Sequence, residues 1–122
     1  MSQNSNAPTY MFVFRSPVDQ PDPSPAQMQE SFQKWMTWIQ AMKAKGQYIA
    51  GDPLEDGPAK ILRGPRGAKV SDGPFAEAKE VVGGYMLIAA NDFAQAAEIA
   101  RDCPIYNIGG TVEVRQVMPM PK

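Results

Sequence analysis

Two short runs in this chain, Tyr10-Met-Phe-Val-Phe14 and Tyr85-Met-Leu-Ile-Ala-Ala90, are apolar on both of their alternating sides. Each is too short for a helix and the first is rich in aromatic and β-branched residues, so both read as strands. Successive side chains of a strand point to opposite faces. Tyr10, Phe12 and Phe14 therefore share one side with Met11 and Val13 on the other, and Tyr85, Leu87 and Ala89 oppose Met86, Ile88 and Ala90. A sheet built from such strands needs cover on two faces. At 122 residues the chain is one domain, expected over 8–118 with a flexible polar lead at 1–7 and a tail at 119–122. Only two segments are suited to be helices, and two helices cover one face. The other face is expected to meet a second copy, giving a symmetric homodimer packed sheet against sheet.

The helices carry their own punctuation. Ser24-Pro25-Ala26-Gln27 places serine at an N-cap, proline at the first helical position and glutamine where a capping box requires it. Met28, Phe32, Trp35, Ile39 and Met42 then recur as one amphipathic stripe, with Trp38 off its main line, and Gly46 supplies the stop. Asn91-Asp92 cap a second helix whose expected buried stripe is Phe93, Ala96, Ala97, Ala100 and Cys103, ended by Pro104. Tyr48 to Ala50 is a short extended piece, and Gly51 to Pro58 reads as a turn-rich acidic loop. Lys60 to Arg63 and Ala68 to Ser71 form a hairpin across Gly64-Pro-Arg-Gly67. Val81 to Ala90 opens on Gly83-Gly84, a bulge signal, and Thr111 to Met118 is a last strand with Val112 and Val114 on one face and Glu113, Arg115 and Val117 on the other. This order suits an α+β fold, a ferredoxin-like antiparallel sheet with both helices on one side.

Composition removes several chemistries. There is no histidine, which excludes Ser-His-Asp and Cys-His catalysis, histidine metal sites and a histidine proton shuttle. Cys103 is the only cysteine, so neither an intramolecular disulfide nor a thiolate zinc cage can form, and on its apolar stripe it reads as a small core hydrophobe. Asp52, Glu55 and Asp56 match no calcium loop, and neither glycine turn has the lysine and hydroxyl of a phosphate-binding loop. No metal and no cofactor are expected. A net charge of -1 with scattered lysines and arginines gives no footprint for nucleic acid or an anionic membrane. No apolar run is long enough to span a bilayer and the opening Met1 to Pro8 is polar, so the expected location is cytoplasmic.

The run Asp72-Gly73-Pro74-Phe75-Ala76-Glu77-Ala78-Lys79-Glu80, followed by Gly83-Gly84-Tyr85, Cys103-Pro104 and Gly110-Thr-Val-Glu-Val-Arg115, resembles the YCII-related family and within it the DGPF subgroup. The likeness spans Tyr10 to Val117. It implies a dimeric α+β barrel, in agreement with the strand reading. It also implies two classes of role. One is a small-molecule site with acid–base chemistry of the lyase, isomerase or dehydrohalogenase type on a small organic acid or phenol. The other is a non-catalytic ligand-sensing or accessory module linked to sigma-factor-dependent transcription. Related YCII-like members carry a histidine on the first helix that is proposed to act with an aspartate; aligned on Gly46, that place falls near Trp35 here, so the dyad does not transfer.

On the residues themselves, the expected site is a cleft between the sheet face and the turn at Asp72. Asp72 is the candidate acid or base, with a turn former as its alternative reading. Arg63 and Lys79 are candidate anion partners, Glu80 and Glu113 further proton carriers, and Trp35 and Tyr85 walls. Phe75 anchors the turn, and Arg115 shares the inter-sheet space with Glu113.

Overall fold

The computed structural model describes residues 7–74 and 78–121. Along the chain run β1 (Thr9–Pro17), α1 (Pro25–Ala44), β2 (Tyr48–Pro53), β3 (Ala59–Arg63), β4 (Lys69–Gly73), β5 (Glu80–Ala89), α2 (Phe93–Ala100) and β6 (Thr111–Gln116). Four strands make an antiparallel sheet in the order β2-β5-β1-β6, while β3 and β4 pair only with each other as a separate ribbon. With that ribbon set aside, the succession is βαββαβ with its first and third strands in the centre, the ferredoxin-like arrangement expected from the sequence.

Local chemistry fixes where each helix begins. The Ser24 hydroxyl accepts the Gln27 backbone N–H at 3.1 Å, and the Gln27 side-chain oxygen accepts the Ser24 backbone N–H at 2.8 Å, closing the capping box with Pro25 behind it. Beyond α1 the chain turns through Gly46 at φ 70°, a left-handed conformation that glycine takes without strain. For α2, an Asp92 carboxylate oxygen accepts the Gln95 N–H at 2.8 Å.

Both helices lie on one side of the sheet. Tyr10, Phe12 and Phe14 from β1 and Met86 and Ile88 from β5 meet Trp38 and Met42 from α1 and Ala96, Ile99 and Ala100 from α2. Phe12 and Ile88 are wholly enclosed. Trp38 stacks on Phe12 with ring centroids 6.2 Å apart and 9° between planes, and its indole N–H donates to the Ile99 carbonyl at 3.2 Å. That single residue joins sheet, first helix and second helix. Fully burying a side chain of this kind stabilises by about 1.5–3 kcal/mol before entropy is counted.

Here the phase of both expected stripes is corrected. Trp38, placed off the main line by spacing, is among the most buried residues of α1, whereas Met28 and Phe32 are each 58% exposed. Every residue from 25 to 34 is exposed, so the packed face begins only at Trp35 and passes through Trp38, Ile39 and Met42. In α2, Ile99 replaces Phe93 and Ala97 on the buried face. Phe93 lies half-exposed, edge-on to Tyr10 at 5.1 Å. The acidic loop is corrected too, since Gly51 to Pro53 continue β2 along β5. The glycine bulge is present: Phe14 pairs with Gly84 and Arg15 with Val82, leaving Gly83 unmatched.

Candidate functional site on the open sheet face

Among the described residues no helix lies on the second face of the sheet. Pairing across the strands sets Asp52, Tyr85, Val13 and Glu113 in one row, and Ala50, Leu87, Met11 and Arg115 in the next. Arg15 follows on the far side of Val13, opposite Thr111 of β6. Met11, Val13, Tyr85 and Leu87 are half-buried on this uncovered surface.

At the β1–β6 edge a charged cluster forms. The Arg15 guanidinium donates to one oxygen of Glu113, and Arg115 approaches the other at 3.5 Å. The side chains of Arg15 and Glu113 are 36% and 39% exposed, that of Arg115 70%. The Arg15 hydrogen bond and charge, with a smaller contribution from Arg115, hold the Glu113 carboxyl below its ordinary range. Glu113 is therefore a carboxylate at neutral pH. Two guanidinium groups on one carboxylate leave a local charge of +1, which suits an incoming anion.

At the β2–β5 edge a second polar pair stands on the same face. The Tyr85 hydroxyl donates to Asp52 at 3.0 Å, and that hydrogen bond together with the aspartate charge raises the phenol pKa. Tyr85 stays protonated and available as a donor. Between the two polar edges lie Val13, Met11 and Leu87, with Val82 opposite Arg15 and Glu80 two residues further along β5.

Of the residues expected to form one cleft, Glu113, Arg115 and Tyr85 share this face. Trp35 does not: it is on the helix side, edge-on to Phe14 at 5.2 Å and to Trp38 at 5.7 Å, as a core aromatic. Asp72 and Arg63 are on the β3–β4 ribbon, which packs mainly on its own connecting turn. The Asp72 side chain is 85% exposed and pairs with Lys60 at 2.6 Å. Instead of a turn, Asp72 and Gly73 close a strand pair. Lys79 is exposed and contributes its backbone carbonyl, which accepts the Val18 N–H at 2.9 Å. Glu80 is exposed at the start of β5, opposite Pro17. Phe75 lies outside the described residues.

Arg15 and Asp52 complete the two polar edges, and neither was among the expected site residues. Arg15 was legible, because it continues the Met11–Val13 alternation onto the same face. Asp52 was not, because its placement depends on β2 running past Ala50. On the opposite side of the sheet, Cys103 is buried and burial pushes its thiol pKa up to about 12, which removes it as a nucleophile at neutral pH. A shallow groove of about 650 Å³ lies beside it, between α1 and the segment after α2, and opens broadly to solvent.

The topology and the uncovered face define a ferredoxin-like α+β domain with a bipolar, half-apolar open surface. The profile of the YCII-related domain matches residues 11–121, and the chain belongs to that family. No curated protein matches the chain. Among the described residues no helix is long and apolar enough to cross a membrane.

Proposed function

We propose that this YCII-related chain, of the DGPF subgroup on the run Asp72 to Phe75, is a cytoplasmic homodimer that binds a small organic acid or phenol between its two open sheet faces. The observation that carries this reading is the cluster in which Arg15 and Arg115 share the single carboxylate of Glu113 beside the apolar strip of Met11, Val13 and Leu87. An apolar surface with a few convergent polar groups is the usual form of a ligand site. Closing a second sheet over it at about 10 Å removes water and strengthens each charged contact.

Binding is favoured over acid–base turnover by the state of the charged groups. Among the described residues no charged side chain is buried, and Glu113 is doubly compensated as a carboxylate. If the site also performs proton transfer, Asp52 positioned by Tyr85 is the base that geometry supports, in place of Asp72. A role as a sensing or accessory module is consistent with binding alone.

The experiment is a thermal-shift screen of small aromatic and aliphatic carboxylates and phenols at millimolar concentration, repeated with Arg15→Met. A ligand present at 100 times its Kd stabilises by about 2.7 kcal/mol, a rise in Tm of roughly 10 °C for a domain of this size. The rise is expected to vanish in the variant. Sedimentation equilibrium is expected to give twice the 13.4 kDa chain mass. A monomer, or a dimer that no acid or phenol stabilises, refutes the reading.

A further inference from the structure

The open face is charged oppositely at its two edges. The β6 side carries Arg15, Arg115 and Glu113, a sum of +1, and the β2 side carries Asp52, a charge of -1 bonded to Tyr85. Asp52 and Glu113 occupy one row with two strands between them, so three inter-strand steps place their backbones about 14 Å apart. A small acid seated on the arginines does not reach Asp52 of its own chain.

We infer that, within the dimer proposed above, each ligand site is shared between subunits, with Arg15 and Arg115 of one facing the partner's Asp52 and the partner's Tyr85. A two-fold axis that brings the same sheet face of two copies together lies in the plane between them. With the axis across the strands, Asp52 lies over Asp52 and Glu113 over Glu113. With the axis along the strands, each edge lies over the unlike edge of the partner, and both pairs of opposite charges meet. Because the row Asp52–Tyr85–Val13–Glu113 maps onto itself at the same height, the partner's Asp52 then stands over Glu113, flanked by Arg15 and Arg115. Charge complementarity selects this second arrangement.

A shared site also defines its ligand more narrowly. One subunit supplies cationic donors for a carboxylate, and the other supplies an acceptor in Asp52 and a hydroxyl in Tyr85. The fitting molecule is a small organic acid with a hydrogen-bond donor at its far end, either a hydroxyl or an ammonium group. Titrations with 4-hydroxybenzoate and with 4-(aminomethyl)benzoate separate those two sources, and benzoate serves as the probe that lacks the donor.

Two measurements test the inference. Without ligand, Asp52→Arg and Arg115→Asp are each expected to weaken the dimer at least tenfold in low salt, and their combination in one chain is expected to recover wild-type association. Both changed positions are exposed, so folding is preserved. Additive weakening with no recovery overturns the shared site while leaving the dimer intact. A wild-type monomer overturns the dimer reading itself. With ligand, Asp52→Asn and Arg115→Met are mixed in equal amounts and allowed to exchange. Half of the dimers are then mixed, each with one intact site, so 4-hydroxybenzoate titration is expected to find about a quarter of the wild-type sites. A count near zero places the whole site within one chain and refutes the sharing.

Discussion

Labelling of Cys103 is the most direct test of the claim that the helix side of this fold is core and carries no chemistry. The thiol sits at 4% exposure among Ile105, Ala100 and the sheet aromatics, and burial raises its pKa to about 12. At pH 8 about one thiol in 10,000 is ionised, against about a quarter for a free cysteine of pKa 8.5, a deficit of roughly 2,000-fold. The rarer thiolate is intrinsically more nucleophilic, which restores about 25- to 55-fold and leaves a chemical slowing of roughly 40- to 100-fold. Steric exclusion slows the folded form further, and local opening offers a separate route limited by how rarely it occurs. The assay is iodoacetamide labelling followed by intact-mass spectrometry, comparing native protein with the chain in denaturant. Native labelling is expected to be at least 100-fold slower and to keep rising with pH through pH 10 without a plateau. Because the folded-state pKa lies above the unfolded value, this group contributes stability fully below about pH 8.5, and the contribution falls as pH rises toward 12. Native labelling within tenfold of the denatured rate refutes the placement of Cys103 in the core.

Three further outcomes follow from single contacts. A Cβ at Gly110 falls 2.4 Å from Ile105 Cγ1 and 2.7 Å from the Arg15 carbonyl oxygen, whereas one at Gly83 meets nothing within 4 Å. Gly110→Ala is therefore expected to destabilise by about 2 kcal/mol or more, and Gly83→Ala by about 0.5 kcal/mol or less, in urea unfolding. Ser24→Ala removes one half of the capping box at a cost of about 1 kcal/mol, and because residues 25–34 have no packed face, the loss is expected as faster amide exchange there ahead of the rest of α1. The lowered pKa of Glu113 means its pairing with Arg15 stabilises the fold above the unfolded carboxyl pKa of about 4.3 and is lost as pH falls through the folded value. Glu113→Gln is expected to flatten the acid limb of the Tm–pH curve between about pH 5 and pH 3, and an unchanged limb contradicts the ion pair.

Much of the fold was legible because its signals are local. Ser24-Pro25 and Asp92 act on backbone groups within three residues, and the alternation of Tyr10 to Phe14 needs no partner to be read. The rotation of α1 was not legible, since five apolar residues at helical spacing allow several phases and the choice rests on what lies opposite. Trp38 wins because it alone both stacks on Phe12 and finds a carbonyl for its indole N–H in a different element. Met28 and Phe32 lose because, among the described residues, nothing covers that half of the helix.

The site was harder for the same reason carried further. The DGPF run drew the reading to Asp72 because it is the most distinctive wording in the chain, yet distinctive wording marks a backbone path as readily as a reactive group. Asp72 closes the β3–β4 ribbon against Lys60, and Trp35 belongs to the core. The residues that do share a surface, Arg15, Asp52, Tyr85 and Glu113, come from four different strands, and Asp52 and Glu113 meet in one row only through three successive pairings, β2 with β5, β5 with β1 and β1 with β6. Two of these pairings carry an irregularity, a residue skipped at Gly83 between β1 and β5 and another between Tyr48 and Ala50 on β2, while β1 and β6 pair without one. Without the skipped residue between Tyr48 and Ala50, Asp52 turns to the helix side, where an ionised group without a partner costs several kcal/mol, whereas Arg15 holds its face through the unbroken alternation of β1. The bipolar face is therefore a property of strand register, and the β2 bulge that brings Asp52 onto it is as much a part of the site as the charges themselves.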